Sequence, residues 1–255
     1  MSKKTAESPN LVKKFWKIFA YTLLFIPVFF ILVNFGILGS MPDIEELENP
    51  RSALASELYS EDGVMLGQYF IQKRSYLGYN DIPKEMFDAL ISTEDERFYE
   101  HSGIDAKRLV GAVVRLGASG GASTITQQLA KNLFHYDNGI RPNVVIRLTQ
   151  KLKEWVIALR LERRYTKEEI ATMYLNTVQF SGNSYGIKSA AKEFFNKEPA
   201  ELKVEECSVL VGMLKAITIF NPKRNPNNSL QRRNVVIGQM IRNYDNLKVK
   251  TLSKE

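Results

Sequence analysis

Residues 18–42 carry no formal charge, and 18–33 are nearly all apolar. No other stretch constrains the chain as strongly. About 20 consecutive apolar residues can satisfy their backbone in a bilayer only as a helix. Lys3, Lys4, Lys13, Lys14 and Lys17 precede the stretch, and Asp43, Glu45, Glu46 and Glu48 follow it. Positive charge stays on the cytoplasmic side, so the pattern predicts a cytoplasmic N-terminus and an exported remainder. Trp16 and Tyr21 are placed for one interface, and Pro27 is tolerable as a kink. The rival is a cleaved signal peptide. The apolar core is long for one and no A-x-A site follows, so an uncleaved anchor is expected.

At 255 residues the chain suits one domain plus an anchor, or at most two small domains. Lys and Arg number 35 against 28 Asp and Glu, a formal charge of +7. That balance implies an anionic partner. Export argues against nucleic acid and leaves anionic lipid headgroups or a pyrophosphate. The single cysteine, Cys207, excludes an internal disulfide framework. Its apolar setting at 207–213 predicts a buried, inert thiol.

After a polar, acidic tether at 41–54, residues 55–70 read as a hairpin, with Leu58, Tyr59, Val64, Leu66, Tyr69 and Phe70 flanking the turn signal Glu61-Asp62-Gly63. This is the only good strand signal. From Asp81 onward the periodicity is helical. Asp81 is predicted to cap a helix with Pro83 in its first turn and Met86, Phe87, Leu90 and Ile91 as its apolar stripe, ending near Glu94. Asp105 caps the next helix, which carries Leu109, Val110, Val113, Val114 and Leu116 and is broken at 117–121. Ser123 is predicted to cap a third, with Ile125, Leu129, Leu133 and Phe134 on its apolar face and Thr124, Gln128 and Lys131 on another. Residues 133–145 form a less regular connection bearing Tyr136, Ile140, Val144 and Val145. A long helix at 143–163 places Arg147, Lys151, Glu154 and Ala158 on one face, with Leu148, Leu152, Trp155, Val156 and Leu159 for the core. Thr166 to Glu169 is a capping box opening a helix through Leu175. A loop at 182–186 precedes a helix with Ala190, Ala191, Phe194 and Phe195, and helices at 201–216 and 229–244 follow. The expected fold class is mainly α, with a small β-hairpin and one preceding transmembrane helix.

Residues 94–103 concentrate four acids, an arginine and a histidine around two aromatics, directly after an apolar helix. Such density is what an acid/base site needs, because burial and neighbouring charge retune a carboxylate. The competing reading is a solvated turn. Residues 120–132 then run G-G-A-S-T-I-T-Q-Q-L-A-K-N. Together, E-D-x-x-F-x-x-H-x-G followed by this segment resembles the peptidoglycan glycosyltransferases: the transglycosylase domains of class A penicillin-binding proteins and the monofunctional transglycosylases. The resemblance runs from about Glu57 to Tyr244. Lys151-Leu152-Lys153-Glu154 resembles a third motif, R-K-x-x-E, with Gln150 in place of its arginine. Residues 164–176 resemble a fourth, and Arg232-Arg233-Asn234-Val235-Val236 a fifth.

The resemblance implies a lysozyme-like helical domain that polymerises lipid II into β-1,4 glycan with inversion and releases undecaprenyl pyrophosphate. It implies Glu94 as general base and Glu154 as a second catalytic carboxylate that holds a divalent cation (Mg2+ or Mn2+) or orients cations. Lys131, Arg147 and Lys151 are the implied cations for the leaving group. Asp95, Gly121, Ser123, Thr124, Gln127, Gln128 and Asn132 are implied substrate contacts, with unpaired amides at the helix start as a phosphate contact. Arg147, or Arg141, is the expected substitute for the arginine lost at Gln150. His101 is expected to brace the loop. Without the resemblance, Arg147, Lys151 and Glu154 read as a solvated helix face with an ion pair. Lipid II, the growing strand, membrane lipid and cell-wall elongation or division proteins are the implied partners, with no nucleic acid. The implied layout is a cytoplasmic tail at 1–14, an anchor in the bacterial cytoplasmic membrane at 15–40, the tether at 41–54, the catalytic domain at 55–246 and a tail or truncation point at 247–255. A lysozyme-like lytic enzyme and a non-catalytic anchored scaffold are the alternatives. A transpeptidase needs S-x-x-K, then S-x-N, then K-T-G. Ser189 to Lys192 and Ser181 to Asn183 match the first two by letter in the wrong order, and no K-T-G exists.

Overall fold

The computed structural model describes residues 9–34, 56–60, 62, 65–69, 76–114, 121, 123–134, 143–182 and 184–244. The tether, Gly120, the connection at 135–142 with Tyr136, Ile140 and Arg141, and the tail at 247–255 lie outside them. In chain order the elements are α1 (Pro9–Asn34), β1 (Ser56–Tyr59), β2 (Met65–Tyr69), α2 (Lys84–Glu94), α3 (Ala106–Val114), α4 (Ile125–Phe134), α5 (Val144–Arg164), α6 (Lys167–Thr177), β3 (Gln179–Ser181), β4 (Ser184–Tyr185), α7 (Gly186–Phe195), α8 (Val204–Leu214) and α9 (Pro226–Arg242). The architecture is mainly helical. β1 and β2 pair antiparallel with a bulge at Leu58/Tyr59, as the turn signal predicts. β3 and β4 form a second, shorter hairpin that the sequence pattern does not mark.

Among the described residues no helix is long and apolar enough to cross a membrane. The spanning helix expected at 15–40 is therefore not seen as such. α1 has 26 residues, but its described side chains include Lys13, Lys14 and Lys17, and most of those after Leu24 lie outside the described set.

Local chemistry explains where the helices start. Pro83 confines Ile82 to extended backbone (φ −109°, ψ 131°), which separates Asp81 from α2. Asp81 therefore does not cap that helix, contrary to the pattern. Its Oδ2 accepts from the Gly78 N–H at 2.8 Å in a 3-10 turn, and Pro83 itself precedes the first helical turn. Asp105 does cap α3, accepting from the Arg108 N–H at 2.9 Å. The cap of α4 is Thr124 rather than Ser123: its Oγ1 accepts from the Gln127 N–H at 3.1 Å. Asn143 caps α5, and Thr166 with Glu169 closes the expected capping box of α6. α9 begins at Pro226, whose missing N–H costs nothing in a first turn.

α2, α8 and α9 pack against one another, while α4 packs on α5 and α6, and α7 on α6. Their inner faces form one apolar core, including Met86, Leu90, Ile125, Leu129, Leu161, Ile170, Leu175, Leu210 and Met240. The stripe predicted for α2 is buried throughout. That of α5 is rotated. Leu148 is 60% exposed; Val156 is buried as expected, and Ile157, Ala158 and Leu161 face the core beside it. Only the second half of α5 meets the domain interior, so the periodicity of its first half does not report burial. Cys207 is fully buried, and burial pushes its thiol far above the usual range.

Gly186, which opens α7, adopts φ +78°, and a Cβ there would stand 2.5 Å from the Asn176 carbonyl oxygen. Asn176 in turn brackets Leu77 through two hydrogen bonds, at 2.9 and 3.1 Å. Gly186→Ala is therefore expected to cost at least about 1–3 kcal/mol of stability, read as a lowered denaturation midpoint. An unchanged midpoint would refute this account of the β3–β4–α7 corner.

Candidate active site

Glu94 is the last residue of α2 and is half-buried. The chain turns immediately after it, and a set of buried polar contacts fixes that turn. The Asp95 side chain is fully buried. Its Oδ2 accepts the Ile125 N–H at the start of α4 at 3.0 Å, and both oxygens lie 3.1 Å from His101 Nε2. The Gly103 N–H donates to His101 Nδ1 at 3.2 Å, so Nδ1 is the acceptor and Nε2 carries the proton shared with Asp95. Gly103 has φ +85°, and its carbonyl accepts from Thr124 Oγ1 at 2.7 Å and Gln127 Nε2 at 3.1 Å. Arg108 Nη1 donates to the Glu94 carbonyl at 2.8 Å. Asp105 pairs with Arg97. Burial pushes its carboxyl up, but the Arg108 N–H and Arg97 outweigh this and hold it below the usual range.

α4 then presents Gln128, Lys131 and Asn132 on one face by their i, i+3, i+4 spacing. Gln128 Nε2 donates to Glu94 Oε2 at 2.9 Å. Across from them, α5 supplies Lys151, whose Nζ donates to Ser123 Oγ at 2.7 Å and to Glu154 Oε2 at 2.8 Å. Glu154 is 7% exposed. Gly121, Ser123, Gln127, Gln128, Lys131, Asn132, Lys151 and Glu154 line a cleft of about 610 Å³, closed on its other side by Tyr174, Val178, Gln179, Leu214 and Ile217. Glu154, the Gln127 and Gln128 amides and two lysines thus line one concave surface, and Glu94, not itself among the lining residues, is joined to it through Gln128.

Some expected contacts sit elsewhere. Asp95 faces inward as a brace and offers nothing to a ligand. Thr124 is fully buried, with its hydroxyl spent on Gly103 and the Gln127 N–H. At the α4 start, expected as a phosphate contact, Asp95 takes the Ile125 N–H and Thr124 that of Gln127. Arg147 is exposed one turn before Lys151 and is not among the cleft-lining residues. His101 braces the loop, as its position implies.

The fit to a divalent metal is limited. Among the described residues no three His, Cys, Asp or Glu side chains cluster as a metal cage. Glu154 offers one carboxylate with an ammonium on one oxygen. That suits Mg2+ only in its usual manner beside phosphates, with one or two carboxylates from protein and the remaining ligands from substrate and water.

Arg232, in the fifth motif, is half-buried on α9 with its guanidinium 5.8 Å from the Phe220 ring centre. Burial lowers its pKa, and the charge of Glu94 opposes the shift. Tyr174, which falls within the fourth motif but reads as a residue that shapes the fold, also lines the cleft, as do Leu214 and Ile217, which carry no local signal because aliphatic side chains in helical periodicity read as core.

This helical domain, with its carboxylate-and-lysine cleft, matches the transglycosylase family over residues 62–241. The chain belongs to that family, which places it among the peptidoglycan glycosyltransferases. It is 38% identical to penicillin-binding protein 1A/1B of Bacillus subtilis (strain 168), over 93% of this chain and 27% of that protein. It is also 38% identical to penicillin-binding protein 1A of Escherichia coli (strain K12), over 79% of this chain and 23% of that protein. The chain thus spans about a quarter of these relatives' length. A crystal structure of penicillin-binding protein 1A from Haemophilus influenzae aligns with a TM-score of 0.41 at 23% identity, over 78% of this chain and 19% of that one.

Proposed function

We propose that the cleft polymerises lipid II, a disaccharide-peptide carried on a polyprenyl pyrophosphate, into β-1,4 glycan with inversion at the donor carbon and release of undecaprenyl pyrophosphate. The observation that supports this reading is that Lys131, Lys151 and Gln128 line one cleft and that Glu94 accepts a hydrogen bond from Gln128 at 2.9 Å. A sugar hydroxyl is a poor nucleophile at neutral pH and needs a base within hydrogen-bond reach. Glu94 takes its proton as the hydroxyl oxygen bonds to the donor carbon. The bond from that carbon to the pyrophosphate oxygen breaks, and the pair of electrons leaves with the pyrophosphate. That group is already a weak base, so it needs positive charge more than a proton. Lys131 and Lys151 supply the charge, and Glu154 holds Lys151 in place. Glu154 would be the protein ligand for Mg2+ or Mn2+, which when bound would supply further charge neutralisation to the leaving group. A lytic enzyme meets a neutral glycan, must protonate a poor leaving group and gains nothing from paired lysines.

The anchor belongs to the same reading. The anchor at 15–40 crosses the cytoplasmic membrane in this reading, with the lysine-rich N-terminus inside and the catalytic domain outside. α1 lies against α5, whose first half exposes Val144, Ile146 and Leu148 at 71%, 47% and 60%. Such a patch suits contact with lipid at the membrane surface, where the donor is held.

Glu94→Gln keeps the shape of the base and removes its proton acceptor. Turnover of lipid II is expected to fall by roughly 100- to 10,000-fold with binding retained; unchanged turnover in the folded variant removes Glu94 from the role. The metal is tested separately by titrating Mg2+ into chelator-treated protein. Wild-type turnover should rise with metal and that of Glu154→Gln respond weakly, whereas superimposable titrations would sink the assignment to Glu154.

A further inference from the structure

Tyr174 sits on α6 with its ring in the core, 1% exposed, and its hydroxyl end at the wall of the cleft. The hydroxyl donates to Gln128 Oε1 at 3.0 Å, and Gln128 Nε2 donates to Glu94 Oε2 at 2.9 Å. The three side chains form one line across α6, α4 and α2. Burial, with the charge of Glu94 as a lesser cause, raises the Tyr174 phenol well above its usual range, so it remains a donor.

We propose that Tyr174 is a positioning residue for the base: through the Gln128 amide it holds the Glu94 carboxylate in the orientation that receives the acceptor hydroxyl's proton. This inference rests on the glycosyl-transfer reading above. A glutamine amide presents a donor at one end and an acceptor at the other, and a half-turn exchanges them. A carboxylate at 2.9 Å tolerates only the donor end. The acceptor end must then face a donor, and Tyr174 supplies it inside the core, where an unmatched amide oxygen would be costly. The hydroxyl also polarises the amide and strengthens its N–H toward Glu94. Once Glu94 has taken a proton, the reversed amide fits equally well, with its oxygen accepting from the new carboxyl O–H and the Tyr174 oxygen accepting from the NH2 group. The same pair therefore matches the base before and after proton transfer without moving the backbone. Without the hydroxyl, the amide loses the partner that completes its donor-forward arrangement, and the carboxylate loses a fixed direction.

The test is a double-mutant cycle on lipid II turnover with Tyr174→Phe and Gln128→Met. Tyr174→Phe removes one oxygen from a ring whose packing stays, so folding is checked by melting first. The expected result is a fall in kcat on the order of tenfold, the size of one lost hydrogen bond to a charged network, with KM within about threefold, and no further fall when the change is made in Gln128→Met. A kcat within twofold of wild type overturns the proposal. So does a loss carried by KM, or a full-sized loss in the Gln128→Met background, which would mean that Tyr174 acts by some other route. Should Tyr174→Phe fail to fold, Gln128→Met alone carries the test, because it keeps the length and removes both ends of the relay; a kcat within twofold of wild type again overturns it. Wild-type protein serves as the reference for the reading beneath: if it makes no polymer, glycosyl transfer fails and the relay with it, whereas an active wild type beside an unaffected Tyr174→Phe rejects the relay alone.

Discussion

The Asp95 carboxylate is the contact on which the site depends. It ties the end of α2 to the start of α4 through the Ile125 N–H and holds His101 beneath the intervening turn. Removing it would leave buried donors without acceptors, a cost of about 1–3 kcal/mol for each unpaired group. Its neighbour Glu94 owes its place at the cleft to those bonds. A carboxylate at a helix N-terminus is favoured by the helix dipole. The same contact takes one of the first amides of α4, and Thr124 takes another, so fewer backbone donors remain there for an anion.

Positive charge must then come from side chains, and the fold supplies it from two helices. Lys131 belongs to α4 and Lys151 to α5, and the two helices pack together. Glu154 is nearly buried and holds the Lys151 ammonium at 2.8 Å. Surface ion pairs of this i, i+3 type contribute little. Here the acid is withdrawn from solvent and the lysine also bonds Ser123, so the pair fixes the ammonium in one place. Pre-set charge needs no rearrangement as the leaving group departs. Glu94 itself meets the Gln128 amide at 2.9 Å.

Much of this was legible in the sequence where local pattern decides the outcome. The α2 stripe, the Thr166 capping box, the Asn143 to Arg164 helix and the inert Cys207 all follow from spacing and neighbours. Gln128, Lys131 and Asn132 share a face by helical geometry alone. The misreadings come from long-range contacts. Asp95 meets Ile125 thirty residues away, a pairing with no local trace, and the α4 cap is Thr124 while Ser123 instead accepts from Lys151 of α5. Leu148 is exposed because the first half of α5 has no core to face, and Glu154 is buried although its spacing from Lys151 reads as a surface pair. The β3–β4 hairpin is too short to alternate. Tyr174 reads as core from sequence, and only its hydroxyl distance reveals its second role.

The central claim is that a cleft lined by two lysines, with a carboxylate joined to it through Gln128, builds glycan rather than cutting it. The most direct measurement offers purified wild-type protein lipid II in one reaction and purified cell walls in another, and sizes the products of each. Long glycan from lipid II, with no soluble fragments from the walls, is the predicted result. Soluble fragments from walls with no polymer from lipid II would contradict it.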